Sequence, residues 1–319
     1  MSMEARHESV LLVEAIEALA LAKNDTVVDA TIGGAGHFRS LLEHLGSDGV
    51  LIGIDADAEA IGRAREAARE DARTNRPTVH LIEDNFRNLS RILARLDIAS
   101  VSKALFDLGW SAHHLESGRG FSFRVDEPLL MTYGSPESAP KTAADVVNGL
   151  SESELADIIF TFGEERFSRP IAREIVRVRR TKHIVSTQGL VDVVLAATPL
   201  WYQHRRIHPA TKTFQAFRMY VNDELDALRE GLSAALAALT PGGRVAVITF
   251  HSIEDRVVKG MFRDAMHAGQ GVVLTKKPLA PSSAETIRNP RSRSAKLRVF
   301  ERSDARDPAP VFGRTVTYA

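Results

Sequence analysis

Val27-Val28-Asp29-Ala30-Thr31-Ile32-Gly33-Gly34-Ala35-Gly36-His37 is a β-branched run that ends in an acid and passes into a glycine-rich turn. Phe38, Leu41, Leu42 and Leu45 follow at helical spacing, so the stretch predicts a strand, a tight turn and a helix. Glycines at such a turn let backbone N–H groups approach a ligand, because no Cβ stands in the way. A second apolar run, Val50-Leu51-Ile52-Gly53-Ile54, ends in Asp55, nineteen residues after Gly36. An acid at the end of the second strand is where a doubly wound α/β fold holds a ribose, so a nucleoside-cofactor site is expected. A dinucleotide fingerprint would read G-x-G-x-x-G, whereas this loop reads G-G-A-G with Asp29 closing the strand. A carboxylate there would repel a pyrophosphate but attract an amino-acid ammonium, as the methionine end of S-adenosylmethionine requires. A glycine turn that serves packing alone is the other alternative.

Composition narrows the field. A chain of 319 residues can bury a large core, and 41 Lys+Arg balance 41 Asp+Glu, so no global charge draws it to nucleic acid or membrane. Cysteine is absent, which excludes disulfides and thiolate chemistry and fits a reducing compartment. Met1 to His7 is polar and no apolar run approaches membrane-span length, so the expectation is a soluble cytoplasmic protein without membrane contact. The charge is nevertheless uneven, with eleven Lys/Arg and two acids, Glu174 and Asp192, between Arg166 and Arg218. Arg166, Arg169, Arg173, Arg177 and Arg180 share one predicted helix face, beside an apolar stripe of Phe167, Ile171, Ile175 and Val178. That face, with Arg205, Arg206 and Lys212, is a candidate phosphate-backbone surface; an ordinary solvated helix face is the alternative.

Strand and helix patterns alternate from residue 10 to about 107, which predicts a parallel sheet covered on both faces. The alternation stops over residues 112–210, where helix signals such as the Ser151/Glu154 capping box predict a helical insertion entered near Ser135–Pro140. Residues 1–111 and 211–319 would form one discontinuous domain around it. A single long helix is expected from Phe214 to Leu239, ended by Pro241-Gly242-Gly243, before the strand Arg244–Phe250. Two further strands are expected near Val272–Thr275 and Lys296–Phe300, separated by a basic loop.

Ligands in such sheets bind outside the carboxyl ends of the strands. Five predicted ends carry chemistry: Asp29, Asp55, Asp84-Asn85-Phe86, Asp107-Leu108-Gly109-Trp110-Ser111 and Phe250-His251-Ser252. Asp107 is the leading candidate to accept a hydrogen bond from an exocyclic amine and favour its pyramidal form, with Ser111 and Ser252 as lesser candidates. Trp110 could stack on a base; a core role for it is the alternative. Ser252 with Asp255 also reads as a helix cap. His204 and His208 have metal-like spacing without a third ligand, and no metal is expected.

Eight segments together resemble one family, the bacterial small-subunit rRNA cytosine-N4 methyltransferases (RsmH/MraW). They are His7–Leu12, Asp29–His37, Asp107–Ser111, Arg119–Phe123, Gly163–Arg166, His208–Arg218, Phe250–Arg256 and Asn289–Arg298, in family order through nearly the whole chain. The resemblance implies a class I S-adenosylmethionine-dependent methyltransferase, Rossmann-like, with a mostly parallel seven-stranded sheet and an inserted helical domain. It implies S-adenosylmethionine as cofactor and, as partner, 16S rRNA in the small ribosomal subunit, methylated at N4 of a decoding-region cytidine. The family's cofactor positions fall on the glycine loop (Gly34, Ala35, Gly36, His37) and on Asp55, Phe86, Asp107 and His114. Trp110, Arg166, Arg169, Arg173, Arg177, His208 and Lys212 are the candidate RNA contacts. The family usually has Val-Ser-Ser where Trp110-Ser111-Ala112 stands, Gln at His114, and Leu-Asp-Met-Arg at Leu129–Thr132. A methyltransferase with another substrate, and a cofactor-binding ribosome assembly factor without turnover, are the alternatives. The oligomeric state, a homodimer included, stays open.

Overall fold

The structure is a computed structural model, and it describes residues 9–109, 114, 115, 117–134 and 139–303. Its contacts separate two compact units, Met1–Gly109 with Leu225–Ala319, and Trp110–Glu224.

The first unit opens with α1 (Leu12–Leu19), β1 (Thr26–Asp29), α2 (Gly36–His44), β2 (Val50–Asp55) and α3 (Ala58–Glu70). It continues through β3 (Thr78–Glu83), a 3-10 turn at Phe86–Asn88, α4 (Leu89–Arg95) and β4 (Val101–Asp107). In the helical unit lie α5 (Ala143–Gly149), α6 (Glu152–Gly163), α7 (Ser168–Arg179), α8 (Thr187–Ala197), the single turn α9 (Leu200–Gln203) and α10 (Ala210–Val221). The chain returns through α11 (Glu224–Ala238), β5 (Leu239–Thr249), α12 (Ser252–His267), β6 (Gly271–Val273), α13 (Ser283–Arg288) and β7 (Lys296–Arg302).

The seven strands form one sheet in the order β3-β2-β1-β4-β5-β7-β6. β1 to β5 are mutually parallel, and β7 runs antiparallel to both β5 and β6. Successive residues of each central strand enter different cores, as a period of two demands. Val27, Leu51, Leu105 and Ala246 pack with α1, α2 and α3, while Val28, Ile52, Phe106 and Val247 pack with α4, α11 and α12. Burial on both faces explains the unbroken apolar runs. The strand order reverses at β1, which has β2 on one side and β4 on the other, so a crevice is expected at the carboxyl ends of β1 and β4. This is the class I methyltransferase sheet.

The helical unit has its own core, in which Leu155, Ile159, Ile171, Ile175, Leu190 and Phe217 are buried. The Ser151/Glu154 capping box forms as expected, and Thr142 with Asp145 makes a second.

Four expectations are corrected. The predicted long helix is two, α10 and α11, because Asp223 adopts φ +52 and the Asn222 side chain turns back to bond Met131 and Tyr133. That break carries the return from the helical unit to Leu225 rather than 211, since α10 packs against α6 and contributes Phe214 and Phe217 to the helical core. Pro241-Gly242-Gly243 lies within the bounds of β5, where the register with β4 shifts between Val101 and Lys103. Arg166 precedes α7, whose N-cap is Phe167, so the arginine stripe on the helix itself is shorter than expected. The expected entry near Ser135–Pro140 lies mostly outside the described residues.

Candidate active site

The glycine loop is built by backbone geometry. Gly33 has φ +50, and Ala35, the N-cap of α2, has φ +63. The left-handed region is open to glycine but costs a residue with a Cβ on the order of 1 kcal/mol or more. The strain is held by Asp55, whose carboxylate accepts the Gly33 N–H at 2.8 Å and the Asp57 N–H at 2.9 Å. Arg63 adds a bond from Nε to the Gly33 carbonyl at 3.0 Å. Gly36 leaves room for Ser9 as well: a Cβ there would lie 2.0 Å from Ser9 Oγ and 3.1 Å from its Cβ, so the serine would have to move to admit one.

Three titratable groups meet at the crevice. Asp29 ends β1, His37 lies in the first turn of α2 and Asp107 ends β4. His37 Nδ1 lies 3.4 Å from Asp107 Oδ2, and the Asp107 N–H donates to Thr31 Oγ1 at 2.6 Å. Asp29 is wholly buried, and one of its oxygens accepts the Thr31 N–H at 3.2 Å. The other Asp29 oxygen and Asp107 Oδ1 are buried, with no hydrogen-bond partner among the described residues.

Burial dominates the protonation of this cluster. It pushes Asp29 up to about 7, against the lowering effects of His37 and the Thr31 N–H; Asp107 and Asp55 push it further up. Burial likewise raises Asp55 to about 6, opposed by the Gly33 and Asp57 N–H groups. For His37 burial acts downward, yet the bond to Asp107 and the charges of Asp107 and Asp29 leave the ring above its ordinary value. A carboxyl raised in the folded state binds more protons there than in the unfolded chain, so its stability contribution is present below pH 3.8 and lost as pH rises through about 7. Asp29→Asn is therefore expected to stabilise the ligand-free protein by at most about 4 kcal/mol at pH 8 and by much less at pH 5. Thermal melts at both pH values check this; an equal effect at both would refute it.

Phe86 is half-buried beyond the end of β3, with its ring edge-on to Phe106 (centroids 5.6 Å apart, planes at 88°). α11 comes so close that a Cβ on Gly231 would lie 2.6 Å from Phe86 Cδ2 and 3.0 Å from its carbonyl oxygen. At the end of β5 the expected Ser252/Asp255 cap is one residue out of place. His251 is the N-cap and accepts the Glu254 N–H, while Glu254 accepts the Phe250 N–H at 2.9 Å. Ser252 is then the first helical residue, and it is exposed.

Within the helical unit His114 is buried against the stacked pair Phe121 and Tyr133, its ring at centroid distances of 5.2 and 5.1 Å from theirs. Nearby, Arg119 donates to the carbonyls of Thr132, Tyr133 and Gly134, fixing the segment where the family pattern departs. Arg173 and Arg177 are paired with Glu152 and Glu174, and Lys212 Nζ donates to the Glu164 carbonyl. His208 stacks on Phe123, and burial lowers its pKa. Arg166 and Arg169 have no acidic partner among the described residues. Trp110 and Ser111 lie outside the described residues. Thr31 and Gly231 were not singled out from the sequence. Thr31 sat inside a quoted motif, and Gly231 was the one glycine among the leucines of its helix.

Residues 4–303 match the MraW methylase family. The chain belongs to this family. A ribosomal RNA small subunit methyltransferase H of Syntrophotalea carbinolica is 46% identical over 313 residues, covering 93% of this chain and 98% of that protein. A protein of the same name from Deinococcus radiodurans is 46% identical over 300 residues, covering 94% and 90%. A solved rRNA methylase from Streptococcus thermophilus superposes with a TM-score of 0.43 at 12% identity, covering 93% of this chain and 98% of that one.

An MraW methylase depends on S-adenosylmethionine, and the crevice fits that cofactor. It offers the N–H groups of a helix start, an acid at the end of β2, an aromatic ring beyond β3 and, at the end of β1, a buried carboxylate oxygen without a hydrogen-bond partner among the described residues. Gly231→Ala is expected to displace Phe86 and weaken S-adenosylmethionine binding by about tenfold, within the range of an overpacked site. Calorimetric titration checks it, and an unchanged Kd would refute the link between Gly231 and the cofactor. Among the described residues no helix is long and apolar enough to cross a membrane.

Proposed function

We propose that this MraW methylase transfers a methyl group to N4 of a cytidine in the decoding region of 16S rRNA, on an assembled or nearly assembled small subunit. The observation that carries the choice is Asp107, a carboxylate at the switch point whose Oδ2 faces His37 and whose buried Oδ1 has no hydrogen-bond partner among the described residues. The full-length likeness to rRNA small subunit methyltransferases H supports the substrate.

The bound cofactor supplies an electrophilic methyl group on a sulfonium. Around it, the N–H groups of Gly34 to His37 would meet the methionine end, Asp55 the ribose hydroxyls and Phe86 the adenine. His114, where the family usually has Gln, would add a ring nitrogen as a contact. Asp107 accepts one N–H of the cytosine amine, which draws its lone pair out of the ring and toward the methyl. As the N–C bond formed, the methyl–sulfur bond would break to leave S-adenosylhomocysteine and N4 would become positive; the same carboxylate would stabilise that charge before the proton left through it or to solvent. His37 and Thr31 act on Asp107, fixing its side chain and backbone, and so are positioning residues. Ser252, just beyond the end of β5, is a lesser candidate, and Ser111 is another. Arg166 and Arg169, without an acidic partner among the described residues, are the best candidates for phosphate contact; Arg173, Arg177, His208 and Lys212 would first have to leave their present partners, and Trp110 would stack the target base.

The deciding experiment is transfer of labelled methyl from S-adenosylmethionine to small subunits lacking the modification, followed by nucleoside analysis. N4-methylcytidine is the expected product. Label in another nucleoside, or in a small metabolite alone, would overturn the assignment.

A further inference from the structure

Beside Arg166, an aromatic residue that no motif contains stands in the open. Trp201, in the single turn α9, is 53% exposed, and its neighbours Leu200 and Ile207 are 72% and 56% exposed. The indole rests edge-on against Phe167 and Tyr202, at centroid distances of 6.0 and 5.8 Å. Tyr202 is itself pinned by a 2.5 Å bond from its hydroxyl to Glu165, a carboxylate with no exposed surface that also accepts the Phe167 N–H. The aromatic shelf is therefore rigid from below. Two guanidinium groups stand at its rim: Arg166 Cζ is 5.1 Å from the Phe167 ring centroid and 5.2 Å from that of Trp201, and Arg205 Cζ is 5.4 Å from the Tyr202 centroid and 6.0 Å from that of Trp201. Neither makes an ion pair among the described residues, unlike Arg173 and Arg177 farther along α7.

We propose that Trp201, flanked by Arg166 and Arg205, is a stacking platform for an unpaired base of the RNA substrate. An indole exposed over half its surface is a ring on which a nucleobase can stack in place of the guanidiniums now near it, and those two guanidiniums, without an acidic partner among the described residues, match the phosphates on either side of that base. An apolar protein partner would bury the indole equally well but would leave two arginine charges desolvated and unpaired, which is costly. The charge of the rim thus selects a polyanion with aromatic units, which is single-stranded RNA. The inference rests on the proposal that the chain acts on RNA and adds a contact to it that the family motifs do not include.

Binding of unmodified small subunits, and of a protein-free single-stranded oligoribonucleotide from the same region, would be measured for the full chain with Trp201 intact, Trp201→Ala and Trp201→Phe. Trp201→Ala is expected to raise Kd for both ligands by about 5- to 150-fold, and Trp201→Phe to restore most of the loss. The chain has two tryptophans, so in a Trp110→Phe background the fluorescence of Trp201 alone is expected to be quenched by the oligonucleotide. Kd within twofold for Trp201→Ala together with unquenched fluorescence would overturn the platform. Weakened binding to subunits but not to protein-free RNA would also overturn it, in favour of a protein contact. If the unaltered chain methylates no RNA at all, it is the proposed function that fails, whereas RNA methylation with an indifferent Trp201 rejects the platform alone.

Discussion

Asp107→Ala is expected to lower methyl transfer to small subunits by about 10²–10⁴-fold while S-adenosylmethionine affinity changes far less, within about tenfold. The range is that of removing one positioned acid–base or charge-stabilising group from an active site. The asymmetry follows from geometry. One oxygen of Asp107 faces His37 and the other has no partner among the described residues, so the alanine variant removes the acceptor proposed for the amine and leaves the glycine loop tied to Asp55. Asp107→Asn keeps an oxygen acceptor without the charge and should fall between the two. Single-turnover methylation with saturating cofactor separates the effects; a rate within threefold of the parent for Asp107→Ala would remove the carboxylate from the mechanism.

The second large effect concerns stability. Asp255→Ala is expected to cost about 3–5 kcal/mol, because it strands a buried guanidinium. Asp255 accepts from Arg298 Nε at 2.6 Å and Nη2 at 3.2 Å, and from Lys296 Nζ at 3.0 Å, while Arg298 is 5% exposed in the middle of β7. Burial alone would raise the Asp255 carboxyl, but the bonds and charges of Arg298 and Lys296 bring it below its ordinary 3.8. A lowered carboxyl binds fewer protons in the folded state, so its contribution is present above pH 3.8 and lost as pH falls through the folded value. The defect should therefore be full at pH 7 and shrink below about pH 4, opposite in sign to Asp29→Asn. Thermal and denaturant melts across that range test it. A defect under 1 kcal/mol at pH 7 would mean that Arg298 finds another partner.

The sheet was legible because its strands are short apolar runs closed by acids, and Asp29, Asp55 and Asp107 all stand where those runs predicted. What escaped was whatever depends on the third dimension. The leucine spacing from Phe214 to Leu239 carries no sign of a break, since the break arises from an aspartate in a left-handed conformation and an asparagine side chain bonding to residues 131 and 133. Asp255 read as a helix cap; its partner Arg298 sits in a separate motif 43 residues away, and only the β5–β7 pairing makes the two segments one feature. His37 could be quoted from the loop, but its contact with Asp107 joins the first strand's loop to the fourth strand. Trp201 is in no motif at all, and its exposure could not be read from a chain in which tryptophan is usually core.

The position of the helical unit between β4 and β5 has a consequence for synthesis. The central strand β4 gains its β5 neighbour only after residues 108–238 have been made, which at about 5–20 residues per second takes on the order of ten seconds. During that interval the nascent chain carries β1 to β4 with an open, apolar edge at Leu105 and Phe106, the kind of edge that invites mispairing. The helical unit, with a core of its own, can fold in the meantime. Translation speed over residues 108–238 is thus a variable in the yield of native protein, and a stalled or truncated product ending there would be an aggregation hazard.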